Sequence, residues 1–245
     1  MFKVLLLPLL FLSFNSWSSE IKIVTEDVPP MQILNPDASL SGVNIEIVKA
    51  ILNEAQLEAS FEVLPWPRAF DQALNNKNTL ILSMIRNPQR EDKFIWLAKL
   101  IKLEPNITIL KDRKDLVINT VADLINYKVA VSRGDYGENY LKSIGLLENR
   151  NLYLTVKHES MWKMLFSKRI DAVFTNNLTS KYEILSAGLS PSKVEDILDL
   201  NSISKELYLA ANLNTDMKIV NALKKAAIKI KNNGTYQNII DKWQN

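Results

Sequence analysis

Cysteine is absent from the 245 residues, histidine occurs once and glycine six times. Without a thiol the chain has no disulfide, no thiolate metal site, no cysteine nucleophile and no acceptor for a lipid anchor. One histidine, His158, cannot assemble a zinc set and reads as part of an exposed turn. The Gly-x-Ser-x-Gly turn that presents a nucleophilic serine does not occur either. Charge of one sign is also scarce: 30 basic residues stand against 27 acidic ones, a net of +3, too small and too dispersed for a nucleic-acid surface. The basic clusters at 111–114 and 224–231 read as solvated faces. An apolar run appears only at the start, where Val4 to Phe14 follow Lys3, and Ser16 and Ser18 supply small residues before a cleavage point. That is the pattern of a cleavable export signal over residues 1–18. The run is about 11 residues long, whereas a membrane span needs about 20, and no later stretch is long enough. An exported chain without a lipid-acceptor cysteine is expected in the periplasm.

What is present alternates between strand and helix. IKIVTED is a short strand stopped by Val28-Pro29-Pro30, since two prolines cannot continue a ladder. GVNIEIVKAILNEAQLE spaces Ile47, Val48, Ile51, Leu52 and Ala55 as one helical face, with Asn44 expected as its N-cap. ASFEVLPW reads as a strand, PRAFDQALNNK as a helix starting at proline, and TLILSMI as a buried strand of a parallel sheet covered on both faces. After KLEPNITILKDRKD, which runs extended, the pattern restarts: VADLINY as a short helix, KVAVSRGDYG as a strand entering a glycine turn, then helix, strand, the helix MWKMLFSKR and the strand IDAVFTN. LYLAANL is one more strand. MKIVNALKKAAIKIKNNG is a long helix whose apolar face includes Ile219, Leu223, Ala226, Ala227 and Ile230, with Gly234 at the C′ position. The chain therefore holds two α/β units.

Five segments in order, GVNIEIVKAIL after a Pro-Pro turn, PWPRAFDQA, SMIRNPQREDKFIW, SKRIDAVFTN and NNGTYQNIIDKW, resemble the family-three extracellular solute-binding proteins across nearly all of the chain after the signal. The resemblance implies a type II periplasmic-binding-protein fold, two α/β lobes joined by a two-strand hinge. Residues 19–102 and 201–245 would form the first lobe and 103–200 the second. It also implies a function: capture of a small carboxylate-bearing solute, an amino acid or related organic acid, between closing lobes, and delivery to the membrane permease of an ABC importer. The same fold allows a ligand sensor docking on a membrane receptor, or a dehydratase-like enzyme using Glu26 or Asp135 as its acid. No catalytic residue, cofactor, metal or nucleic-acid partner is expected, and the protein is expected to be a monomer.

Ligand sites in parallel sheets lie beyond the carboxyl ends of strands, which is where SMIRNPQR places its arginines. By resemblance Arg90 meets a ligand carboxylate with its planar fork; the alternative is a surface pair with Glu91 or Asp92. Phe94 and Trp96 would anchor the next segment in the first lobe. Ser83 keeps a hydroxyl of the family's turn, whereas Ile85 stands where a serine or threonine is common. Asn176 occupies the place where amino-acid binders usually carry an aspartate for the ligand ammonium. Arg68 and Arg86 are candidates to add positive charge to the cleft, Arg68 having a plain solvated alternative. Arg133 and Tyr136 sit in the second lobe's glycine turn. Trp66 either stacks on ligand or fills core, and Glu26 with Asp27 either receives a ligand donor or caps the next turn.

Overall fold

The computed structural model describes residues 20–244, so the expected export signal lies outside the described residues. The chain opens with β1 (Ile21–Thr25), a small hairpin β2 (Ile33–Leu34) and β3 (Leu40–Ser41), helix α1 (Val43–Ala55), β4 (Ala59–Val63), α2 (Trp66–Asn75), β5 (Thr79–Ile85) and β6 (Phe94–Leu103). It continues through β7 (Pro105–Leu110), β8 (Val129–Ser132), α3 (Tyr136–Ser143), β9 (Leu152–Thr155), α4 (His158–Phe166), β10 (Ala172–Asn176), α5 (Asn177–Ser186) and β11 (Val194–Asp199). It closes with β12 (Lys205–Asn212), α6 (Met217–Asn232) and α7 (Thr235–Gln244).

Two five-stranded sheets result, ordered β4-β1-β5-β12-β6 and β11-β7-β10-β8-β9. The chain crosses from one to the other twice, at Glu104 and through residues 200–204. The crossings run side by side: Lys205 is in register with Leu103, and the Leu200 amide donates to the Pro105 carbonyl at 2.8 Å. A paired connection of this kind bends more easily than either lobe, because it is only two strands wide and each lobe is a helix-covered sheet.

Strand alternation explains each core. In β1, Ile21 and Ile23 face α1 and α6, while Val24 faces the opposite cluster with Ala69, Ala73, Ile81 and Phe94. The second sheet is likewise covered on both faces, by Leu141 of α3 on one side and by Met161, Trp162 and Leu165 of α4 on the other. Trp162 is fully buried. Phe94 is buried and Trp96 half-buried, with the Trp96 indole N–H held by the Glu91 carbonyl at 3.2 Å.

Several local expectations are corrected. β5 pairs parallel with β1 but antiparallel with β12, so the first sheet is mixed. VADLINY forms a 3-10 turn, Val121–Asn126, closed by a Thr120–Asp123 capping box; six residues with an acid bound to its own N-terminus stop before an α-helix propagates. Two elements have no assignment from the sequence: β11 after α5, and α7 within the C-terminal NNGTYQNIIDKW. Asn44 is not the cap of α1. Gly42 holds that place without a side-chain bond, and the Val43 and Asn44 amides donate instead to the Pro30 and Met31 carbonyls at 3.1 and 3.0 Å. The orphan donors of the first turn are thus satisfied by backbone, which frees the Asn44 amide for another task. Gly234 ends α6 with φ 83°, the left-handed turn that favours glycine.

Candidate functional site

The first lobe carries a pocket of about 260 Å³ at the carboxyl ends of β1 and β5, lined by Glu26, Gln32, Trp66, Ser83 and Arg90 among others. The end of β5 is irregular for a reason. Leu207 and Tyr208 pair with Ile85 and Met84, then Ala210 and Ala211 with Ile81 and Leu80, so Leu82 and Ser83 together oppose Leu209. Such a bulge bends the strand and re-aims one side chain. Ser83 takes φ 61°, and its hydroxyl oxygen accepts from the Gln32 side-chain amide and, at 2.7 Å, from the Asn44 amide. Gln32 is 1% exposed, and its Oε1, like Asn44 Oδ1, has no hydrogen-bond partner among the described residues. With both lone pairs of Ser83 engaged, its proton is free to point at the pocket.

Arg90 follows the same strand end. Its Nη1 donates to the Ile85 carbonyl at 3.2 Å, and its guanidinium carbon lies 5.6 Å from the Trp66 ring centre and 5.3 Å from that of Phe70. The aromatic faces hold the cation in place, yet no carboxylate reaches it among the described residues. Burial alone lowers its pKa, the sign of a desolvated cation lacking an internal counter-charge. Glu26, half-buried in the same pocket, has its pKa raised by burial.

The acid that could have paired with Arg90 is taken by Arg86. Arg86 Nε meets Glu91 Oε2 at 2.8 Å, with a second bond from Nη2 to Oε1, and the guanidinium lies over Trp96 and Tyr208 at 5.2 and 5.8 Å. Arg86 is therefore drawn out to the surface and does not line the pocket. Arg68 is exposed on the first turn of α2, and Arg133 is exposed and paired with Glu148 at 2.8 Å. Asp27 accepts the Leu34 amide at 2.9 Å, the turn-capping alternative, while Glu26 lines the pocket.

The second lobe has its own crevice, beyond the ends of the parallel strands β8 and β10. Its lining includes Ser132, Asp135, His158, Thr175, Asn176 and Glu183. Asn176 uses Oδ1 to cap α5, accepting from Leu178 and Thr179 at 3.2 and 3.0 Å. The side chain of Tyr136 lies outside the described residues. His158 sits at the crevice rather than on a mere turn, with Nδ1 3.4 Å from Glu183 Oε1. No group of three or more metal-ligating side chains occurs among the described residues, and none of their helices is long and apolar enough to cross a membrane.

Asp135 is mostly buried, and desolvation pushes its pKa up despite a bond from the Gly137 amide and the nearby His158. The folded chain thus holds this proton more tightly than the unfolded chain does. Stability falls as pH rises from the ordinary aspartate value of about 4 through the folded value, and stays lower above it. Asp135→Asn is expected to raise the urea midpoint at pH 7 and to have little effect at pH 3.5. A lower midpoint at pH 7 would contradict this reading.

The bacterial extracellular solute-binding proteins, family 3, match over residues 21–245, and the chain belongs to that family. It is similar to amino-acid-binding protein AabA of Dichelobacter nodosus, 23% identical over 225 residues, covering 89% of this chain and 84% of the relative. It is also similar to ABC transporter arginine-binding protein 1 of Escherichia coli (strain K12), 22% identical over 257 aligned residues and covering 98% of each. Among solved structures, an ancestral cationic amino acid solute-binding protein superposes with a TM-score of 0.77 at 20% identity, over 92% of this chain and 96% of that one. These relatives are binding proteins, and the two lobes with their paired connection are the type II periplasmic-binding-protein fold.

Proposed function

We propose that the protein captures a small carboxylate-bearing solute, an amino acid or related organic acid, between its lobes and presents it to the membrane permease of an ABC importer. The observation that carries this reading is Arg90: a half-buried guanidinium, resting on two neighbouring aromatic rings at a strand end, with no carboxylate partner among the described residues. A buried charge is tolerated where a partner completes it, and a ligand carboxylate fits the fork. Each pocket is lined by residues of one lobe, as suits a protein that closes on its ligand. The amino-acid-binding relatives agree with the assignment. The reading includes residues 1–18 as an export signal, a periplasmic monomer, lobes divided near residues 103 and 200, and no catalytic step.

Mass spectrometry of small molecules released on denaturing the natively purified protein, followed by calorimetry with each, tests it. Recovery of carboxylate-bearing compounds that rebind supports the reading. Recovery solely of cations that lack a carboxylate overturns it.

A further inference from the structure

One helix carries charge that neither pocket uses. α6 holds five lysines and no acid, and of these only Lys229 has an ion pair, with Glu54 at 2.6 Å. Lys218, Lys224, Lys225 and Lys231 have no carboxylate within ion-pair distance among the described residues. By contrast, Lys22, Lys99, Lys102 and Lys242 of the same lobe each meet a glutamate. At about 3.6 residues per turn, Met217, Asn221, Ile228 and Asn232 form the outer crest of the helix. Lys224 and Lys231 flank the crest on the side facing β6, where they border an apolar groove of about 240 Å³ over Leu97 and Ala227; Lys218 and Lys225 flank it on the other side. Met217 and Ile228 are 57% and 62% exposed, so large apolar side chains stand in solvent between two rows of cations.

We infer that the outer face of α6 is a reversible docking surface for an anionic phospholipid bilayer. The lysines span about 20 Å along the helix, and each is a point charge on a flexible stem rather than a fixed fork. Together they suit headgroups dispersed over a surface better than one bound anion. Apolar side chains on a basic crest enter the boundary between headgroups and acyl chains while the lysine heads stay at the phosphates. No α6 residue lines the first-lobe pocket or the second-lobe crevice, so contact along this flank leaves both uncovered. The inference goes beyond solute capture and is independent of Arg90. It needs the export reading only to bring such a membrane within reach.

The test is co-sedimentation of the full mature protein with vesicles of phosphatidylcholine, either pure or mixed three to one with phosphatidylglycerol. Expected is binding to the mixed vesicles alone, lost as salt rises from about 0.1 M to about 1 M and the screening length falls from about 10 Å to about 3 Å. Lys218→Gln, Lys224→Gln and Lys225→Gln together should weaken it roughly a hundredfold, at about 1 kcal/mol per lysine near the surface. A second triple variant, Lys111→Gln, Lys157→Gln and Lys193→Gln, makes the same change in net charge at exposed positions of the second lobe and should bind nearly as wild type does. Because the chain has no cysteine of its own, Ile228→Cys takes a single polarity-sensitive fluorophore, whose emission should shift to the blue on the mixed vesicles. Absence of binding at low salt, equal binding to pure phosphatidylcholine, equal loss in the two triple variants or an unshifted fluorophore each overturns the inference. Tight capture by poly-L-glutamate without vesicle binding assigns the face to an acidic polypeptide and overturns it as well.

Discussion

Arg90→Met is expected to weaken binding of the carboxylate ligand by about 2–5 kcal/mol, the range for truncating one partner of a desolvated, hydrogen-bonded charge pair. At about 1.4 kcal/mol per tenfold that is roughly 30-fold to several thousandfold. The same substitution should leave the unliganded protein as stable as before or more so. The Arg90 head group has one bond to the Ile85 carbonyl and two ring faces, and methionine can keep the apolar packing while dropping a cation that burial disfavours. A residue that held the lobe together would behave the opposite way, losing stability and affinity together. Arg90→Lys is informative alongside it: a lysine keeps the charge but not the planar fork, so it should recover part of the affinity. Paired chemical-denaturation and calorimetric titrations measure both quantities. Lost stability with unchanged affinity would place Arg90 in the scaffold.

Gly42→Ala is expected to be the most damaging single change outside the hydrophobic core. At φ 116° a Cβ would stand 2.5 Å from the Met31 carbonyl oxygen and 2.8 Å from that of Pro30. Both carbonyls are backbone atoms that accept the first α1 amides, so neither can yield without unseating the helix N-terminus. Strain at a left-handed position combined with a lost cap should cost roughly 3 kcal/mol, the upper part of the ordinary range. The damage also reaches the site. Met31 and Gln32 line the first-lobe pocket and Gln32 donates to Ser83, so affinity should drop with stability. Denaturation with a first-lobe tryptophan signal, Trp66 or Trp96, checks the first effect; a loss below about 1 kcal/mol, small for any named core mechanism, would show that the close approach relaxes easily.

Periodic segments were the legible part of the fold. The apolar faces of α1 and α6 and the Gly234 stop are readable because packing and local spacing favour the same element. α7 and β11 were not assigned, since the half-buried VEDILD and the mixed TYQNIIDKWQ carry only weak periodicity and are shaped by the neighbours they pack on. At the site, Glu26, Trp66, Ser83 and Arg90 come together because strand ends converge, a consequence of topology that motif order reveals. The fates of Arg86 and Arg133 were hidden, because long exposed side chains settle on whichever acid the fold brings near, Glu91 and Glu148 here. The Gln32–Ser83–Asn44 cluster depends on a strand bulge, and Glu183 on the Trp162 indole from a neighbouring helix. Neither leaves a local signature in the chain.

A crystal structure of the protein with its natively retained solute is the most direct measurement of the central claim. Expected is one molecule between the lobes, its carboxylate bonded to the Arg90 fork and the Ser83 hydroxyl. A solute seated elsewhere, or one whose carboxylate points away from Arg90 while the guanidinium faces solvent, would contradict it.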